Sequence, residues 1–338
     1  MESGLNLSSY KAPSPLKHGD TIGVCAPSGA FELNRFDKGI NVLKSMGFNI
    51  YIPDKIYHKK RYMAGDDEIR ADVVNSLFKN PDIKGIICAR GGFGALRTLN
   101  YIDYELIASN PKLFVGFSDI TALLTAVSEK SGIQVVHGPV VTSLADADQA
   151  TLDSLYHQLT SCSSHFNQSF SFKSSEKFDK NLEKVSNPNL EPDFCKFRTL
   201  RQGSALGRLT GGNLSTLCHL IGTKFQPDLD DSILFIEDIG EAPYKIDRML
   251  SQMKLAGMFD KVRAVVAGTF ERCGYKKSEG SQTNNSNVAD SIYDNAVIDE
   301  IILEIFDNPA CPIIADIDAG HGITNLSLRF GCLAEIDV

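Results

Sequence analysis

Leu113-Phe114-Val115-Gly116-Phe117-Ser118-Asp119-Ile120-Thr121 passes from an apolar stretch through Gly-x-Ser-Asp straight into a helical pattern. It reads as a strand, a sharp turn carrying a serine, and a helix, the arrangement that holds a nucleophilic hydroxyl above a sheet. The same residues have a second reading. Ser and Asp are favoured at helix N-caps, where a side-chain oxygen accepts a bond from an orphan backbone N–H. The stretch also lacks the closing glycine of a Gly-x-Ser-x-Gly elbow, having Ile120 there. Both readings share the strand and the helix, and those decide the fold.

Working outward, apolar runs over 21–25, 48–52 and 83–88 read as strands, and amphipathic patterns over 36–46 and 66–79 as helices. The first helix ends at Gly47 and the second stops before Pro81. A strand over 113–117, a helix over 119–130 and a strand over 134–136 continue the alternation. The series predicts an α/β unit with a mostly parallel sheet and helices on both faces. In such sheets the loops at the carboxyl ends of the strands form the site. Here they are Ala26-Pro27-Ser28-Gly29, Ala89-Arg90-Gly91-Gly92-Phe93-Gly94 and the Ser118 turn itself.

From 161 to 203 periodicity fades and Ser, Asn, Lys and Glu dominate, the texture of a connection between domains. The expected organisation is therefore an N-terminal α/β domain over 1–160, a connection over 161–203 and a C-terminal α+β domain over 204–338. The second domain opens with a strand over 205–210 and a Gly211-Gly212-Asn213 turn into a helix over 214–221. Strands over 232–236 and 262–268 flank a helix over 244–255, and a polar loop over 271–287 precedes a helix over 296–306. Short strands over 313–315, 326–330 and 333–338 close the chain.

Composition excludes several classes. A chain of 338 residues suits two domains with a cleft between them. A formal net charge of −8, with no basic stripe, argues against a nucleic-acid partner. No stretch approaches the roughly 20 apolar residues of a spanning helix, and Met1 to Asp20 lacks signal-peptide character, so a cytoplasmic protein with no membrane partner is expected. Eight scattered cysteines without a Cys-x-x-Cys pair read as reduced thiols rather than a disulfide framework or a metal site. The Ala89 to Gly94 loop lacks the spacing of a dinucleotide site or a P-loop, so no cofactor is expected. Its glycines suit either close approach to a ligand or a tight turn.

Two further constellations bear on chemistry. Ile233-Leu234-Phe235-Ile236-Glu237-Asp238 places two acids at the end of a buried strand, and Ala319-Gly320-His321-Gly322 places a histidine in a glycine turn. A hydroxyl nucleophile needs a base within hydrogen-bond reach and an acid to orient that base; Ser118, His321 and Glu237 supply the three types. His137, in Val135-Val136-His137-Gly138-Pro139, is the competing base or a structural residue.

These residues carry a resemblance. Gly23-Val24-Cys25-Ala26-Pro27-Ser28-Gly29, Ala89 to Gly94, Gly116-Phe117-Ser118-Asp119, His137-Gly138-Pro139, Gly211-Gly212-Asn213-Leu214, Ile236-Glu237-Asp238 with Glu241 to Arg248, and Gly320-His321 with Asn325 are similar in order and type to the LD-carboxypeptidase family of serine peptidases. That family also contains the microcin C self-immunity peptidases. The resemblance implies a flavodoxin-like N-terminal domain, a swivelling β/α-type C-terminal domain and a homodimer. It implies Ser118 as nucleophile, His321 as base and Glu237 as its orienting acid. The amides of Asp119 and Gly92, with Gly91 as the alternative, would form the oxyanion hole.

The activity implied is release of the terminal D-alanine from murein tetrapeptide during cell-wall recycling. A carboxypeptidase must bind a terminal carboxylate, for which arginine's planar fork is suited; Arg90, Arg97 and Arg248 are the candidates. Two rivals stand beside this reading: a microcin C-type peptidase cleaving an aminoacyl-nucleotide amide, and a non-catalytic two-domain ligand-binding protein. The chain departs from the family at Arg329, where proline is common, and in the connection and the 271–287 loop.

Overall fold

The computed structural model describes residues 10–161, 168–171, 197–276 and 293–338. Five parallel strands, β1 (Thr21–Cys25), β2 (Asn49–Tyr51), β3 (Ile83–Cys88), β4 (Leu113–Gly116) and β5 (Val135–His137), form most of the first sheet in the order β5-β4-β3-β1-β2. Apart from the exposed edge strand β2, their near-continuous apolar runs are what a sheet covered on both faces requires. Around it lie α1 (Leu33–Ser45), α2 (Asp67–Lys79), α3 (Ala95–Thr98), α4 (Tyr104–Ser109), α5 (Thr121–Ser131) and α6 (Gln149–Thr160). A 3₁₀ turn, Val141–Asp146, follows β5 and packs on α1. The connections run as the alternating pattern predicts, with α3, α4 and α6 additions to it.

The second sheet is mixed, in the order β6 (Gln168–Ser171), β15 (Leu333–Asp337), β8 (Ser204–Asn213), β9 (Ser232–Ile239), β10 (Ala264–Glu271), β13 (Ile313–Ala315) and β7 (Arg198–Arg201). Between these lie α7 (Leu214–Cys218), α8 (Pro243–Leu255) and α9 (Ala296–Ile305), and a short ladder, β11 (Tyr275–Lys276) with β12 (Tyr293–Asp294). Side chains alternate across a strand, so one sheet serves two cores. Ile233 and Phe235 of β9, Val266 of β10 and Ile314 of β13 join the core of the first unit. Their neighbours Leu234, Ile236, Val265 and Ile313 pack with Ile246 and Leu250 of α8 and Ile298 and Ile302 of α9. The two α/β units are thus fused along a shared apolar layer. Arg208 of β8 adds a largely buried tie, bonding Glu129 of α5 and the Tyr10 hydroxyl, each at 2.8 Å.

Three local expectations are corrected. Gly211-Gly212-Asn213 is not a turn; β8 runs through it, paired with β9 as far as Asn213 opposite Glu237. A methyl on Gly211 would sit 1.9 Å from the Phe235 carbonyl oxygen, so these glycines are there for close strand approach. The 161–203 connection contributes two edge strands, β6 and β7, to the second sheet. The described side chains of β7 are exposed or half-buried, so no buried alternation marks it in sequence. Finally β14 (Leu328–Phe330), expected among the closing strands of the second domain, pairs antiparallel with β5 and completes the first sheet. Arg329, the departure noted above, is buried there, its Nε donating to Gln158 of α6 at 3.1 Å. Most of the connection and of the 271–287 loop, with Cys162, Cys195 and His165, lies outside the described residues.

Candidate active site

Strand β4 ends at Gly116, and the chain turns through Ser118 with φ at +64°, the left-handed region that L-residues avoid. Backbone strain of this kind is held only where the surroundings over-determine it, and it concentrates at functional sites. One 3₁₀ turn, Ser118–Ile120, leads into α5. The capping reading does not survive: no side chain caps the start of either helical segment. The Ser118 hydroxyl is instead 3.0 Å from His321 Nε2. The Asp119 carboxylate turns the other way, accepting from the Ser28 hydroxyl and, at 2.8 Å, from the Ala95 amide. It fastens the β1 loop and the glycine loop to the serine turn. Burial pushes the Asp119 carboxyl above the ordinary range, opposed by those bonds and by Arg70.

Glu237 is fully buried on β9, with Oε2 2.6 Å from His321 Nδ1. A carboxylate against Nδ1 leaves Nε2 as the acceptor toward the serine, the tautomer a general base needs. His321 reaches this position because Gly320, at φ +112°, lets the loop lie on Glu237; a methyl there would be 2.6 Å from Oε2. Asn325 Oδ1 accepts from the Gly320 amide at 2.9 Å and fixes the same loop. Alternation along β9 sends Asp238 to the opposite side, where it accepts from Asn213 Nδ2 and from the Ser215 amide and hydroxyl at the start of α7. The structure therefore separates the two acids into one that faces the imidazole and one that anchors a helix.

Burial lifts the Glu237 carboxyl, and the charge and hydrogen bond of His321 pull it back. Burial lowers His321, but Glu237 outweighs it, and the imidazole lies above its ordinary value. His137, the competing base, is elsewhere: fully buried, pushed down to about 3 chiefly by burial, and packed against Phe117, Phe235 and Phe330. Neither of its ring nitrogens meets a partner among the described residues.

Gly91 lies against the serine; a methyl on it would be 3.0 Å from Ser118 Cβ and 3.2 Å from Oγ. Its carbonyl accepts from the Gly29 amide, which orients the Gly91-Gly92 step beside the nucleophile position. The three arginines singled out above are engaged elsewhere. Arg97 chelates Asp67 through Nε and Nη2, Arg90 donates to the Ala30 carbonyl, and Arg248 lies over the Tyr244 ring. Residues that sequence reasoning passed over include Arg70, which is buried and donates to the Pro27 and Gly94 carbonyls, bracing two site loops. Its signal was a charged residue among the apolar positions of α2. Arg35 was passed over as well, and it lines a cavity of about 350 Å³ beside His321.

Residues 22–138 match the LD-carboxypeptidase N-terminal domain and residues 206–336 the LD-carboxypeptidase C-terminal domain. The chain belongs to the LD-carboxypeptidase family. It is an enzyme of that serine-type hydrolase class. It is 33% identical to the probable murein peptide carboxypeptidase of Bacillus subtilis, over 97% of this chain and 92% of that one. It is 31% identical to the microcin C7 self-immunity protein MccF of Escherichia coli, over 96% and 92%. The structure of MccF in complex with glutamyl sulfamoyl guanosine superposes with a TM-score of 0.77 at 29% identity, covering 96% of this chain and 95% of that one. Muramoyltetrapeptide carboxypeptidase from Oxalobacter formigenes gives 0.67 at 27%, covering 93% and 94%. The two-domain α/β architecture is shared with these members of the family.

Proposed function

We propose that the protein is a serine carboxypeptidase that cleaves an L,D-amide bond and releases the terminal D-alanine of murein tetrapeptide. The observation that carries this reading is the hydrogen-bonded run Ser118–His321–Glu237, assembled from a strand-to-helix turn in one unit and a strand and a loop in the other. A binding protein has no use for a strained serine aimed at an imidazole backed by a buried carboxylate, which argues against the non-catalytic alternative.

In this reading His321 Nε2 takes the Ser118 proton as the alkoxide attacks the amide carbonyl. Charge developing on the carbonyl oxygen is held by the backbone amides of Asp119 and Gly92; a single donor of this kind is worth roughly 10²–10³ in rate. His321 then returns the proton to the leaving amine of D-alanine. Glu237 remains ionised and stabilises the imidazolium formed in between. Water, activated by the same imidazole, hydrolyses the acyl-enzyme. The six described cysteines are buried and in no disulfide, among them Cys25 and Cys88 with Sγ atoms 3.7 Å apart, chemistry suited to a reducing compartment. We place the enzyme in the cytoplasm, as a homodimer. No helix among the described residues is long and apolar enough to cross a membrane.

A second reading has specific support. The MccF structure superposes more closely than the muramoyltetrapeptide enzyme, and an exposed aromatic pair, Tyr62 and Phe93, stands at the glycine loop with ring centroids 5.7 Å apart. Exposed rings suit stacking on a nucleotide base. Murein tetrapeptide and an aminoacyl sulfamoyl-adenosine, each followed by mass spectrometry with the wild type and Ser118→Ala, separate the readings. Serine-dependent release of D-alanine supports the first, and serine-dependent cleavage of the nucleoside compound alone replaces it with the second.

A further inference from the structure

We infer that Arg35, near the start of α1, is the receptor for the substrate's terminal carboxylate, and that the cavity beside His321 holds the leaving D-amino acid. This inference rests on the carboxypeptidase reading and assigns its leaving-group side. Proton return from His321 Nε2 requires the departing amine to lie against the imidazole, so the terminal residue must extend past that ring. The space there is the cavity of about 350 Å³, walled by His321 and Phe117 from the catalytic turns and by Arg35, Asp146, Ile323 and Asn325. Its size falls at the small end of ligand pockets, which suits a single amino acid rather than a long peptide.

Imidazole apart, Arg35 is the one cation among the described lining residues and Asp146 the one acid. Arg35 Nη1 meets Asp146 at 2.6 Å, with the two side chains 50% and 61% exposed. A solvent-exposed pair of this kind is weakly held, so an incoming carboxylate can take the guanidinium fork from Asp146. Asn325, also in the wall, accepts from the Gly320 amide through Oδ1 and so fixes the His321 loop on that side of the cavity. By contrast Arg97 has its fork filled by Asp67, Arg90 is bonded to a backbone carbonyl, and Arg248 is stacked on Tyr244.

The test compares murein tetrapeptide with its C-terminal carboxamide as substrates for the wild type, Arg35→Lys and Arg35→Ala. Hydrogen bonds to charged groups predict that the wild type prefers the free acid by about 30-fold or more in kcat/KM. Arg35→Ala is expected to lose that preference, slowing by about 30-fold on the acid and far less on the amide, and Arg35→Lys to recover part of it. Labelling of Ser118 by a serine-directed phosphonate at the wild-type rate shows that each variant is folded with its nucleophile intact. An acid preference that survives in Arg35→Ala overturns the assignment while leaving the carboxypeptidase reading in place. A wild type that releases neither D-alanine from the acid nor D-alaninamide from the amide overturns that reading, and the receptor role with it.

Discussion

The Phe117 ring lies 4.9 Å from the His321 imidazole, centroid to centroid, inclined at 54°. Phe117 precedes the reactive serine, so one backbone turn delivers both the hydroxyl that His321 bonds and the surface on which the imidazole rests. Behind it, His137 packs against Phe117 and Phe235 edge to face and against Phe330 at a tilt, residues borne by the serine turn, the Glu237 strand and the returning strand β14. Aromatic pairs of this kind are worth about 0.5–1.5 kcal/mol beyond their buried area. Phe117→Ala should therefore lower kcat by about 10-fold, with a smaller rise in KM from its place in the cavity wall, as steady-state kinetics on the tetrapeptide would reveal; a KM effect with kcat intact would remove its support of the imidazole.

The strain at Ser118 separates chemistry from stability. Ser118→Ala and Ser118→Gly both remove the hydroxyl and should reduce D-alanine release by at least about 10⁴-fold. Only glycine relieves φ at +64°. Ser118→Gly should accordingly be more stable than Ser118→Ala by about 1 kcal/mol, read from paired denaturant titrations. Equal stabilities would mean that the turn is unstrained in solution.

Because Glu237 holds the imidazole above its ordinary value, and the neutral form is the base, activity is lost as pH falls through that raised pKa. The acid limb of the kcat/KM profile should lie above the unperturbed histidine value of about 6.5. In Glu237→Gln the limb should move down and kcat should fall by about 10³–10⁴-fold, through loss of the charge and of the tautomer it selects. An unmoved limb in that variant would assign the titration to another group.

His137 gives the opposite sign. Its folded pKa of about 3 lies below that of the unfolded chain, so the unfolded state binds more protons as pH drops from 6.5 toward 3, and the native state is weakened across that window. At pH 5 the loss is about 2 kcal/mol. His137→Phe, which keeps the aromatic packing, should flatten the acid side of the stability curve, measured by thermal melts between pH 4 and 7 at about unit intervals. A parallel curve would remove His137 as the cause.

The parallel part of the first sheet was legible because a strand buried on both faces writes an apolar run bounded by glycine and a helix start, as at Thr21–Cys25, Ile83–Cys88 and Leu113–Gly116. The convergence of residues 118, 237 and 321 is not local, and no spacing encodes it; residue type made the three candidates, with His137 still competing, and the resemblance assigned their roles. Glycines at 211 and 212 mimic a turn because their strand function, close contact with β9 and α5, depends on neighbours distant in sequence. The Asp119 carboxylate reads as a cap for the same reason, since its partners Ser28 and Ala95 lie on other loops. Arg35 was hidden because a half-exposed arginine on an amphipathic helix looks like any solvated surface charge.

Leu328–Phe330 returns to the first sheet and lies beside the strand that carries His137. The strand that closes the first sheet is therefore made about 190 residues after the strand it pairs with. During synthesis, strands β8, β9, β10 and β13 of the second sheet must leave the ribosome before the edge of β5 finds its partner, although domains ordinarily fold as they emerge. The serine turn thus waits on the second unit, and the nascent hydrolase stays unassembled until Glu237, His321 and β14 have all followed it.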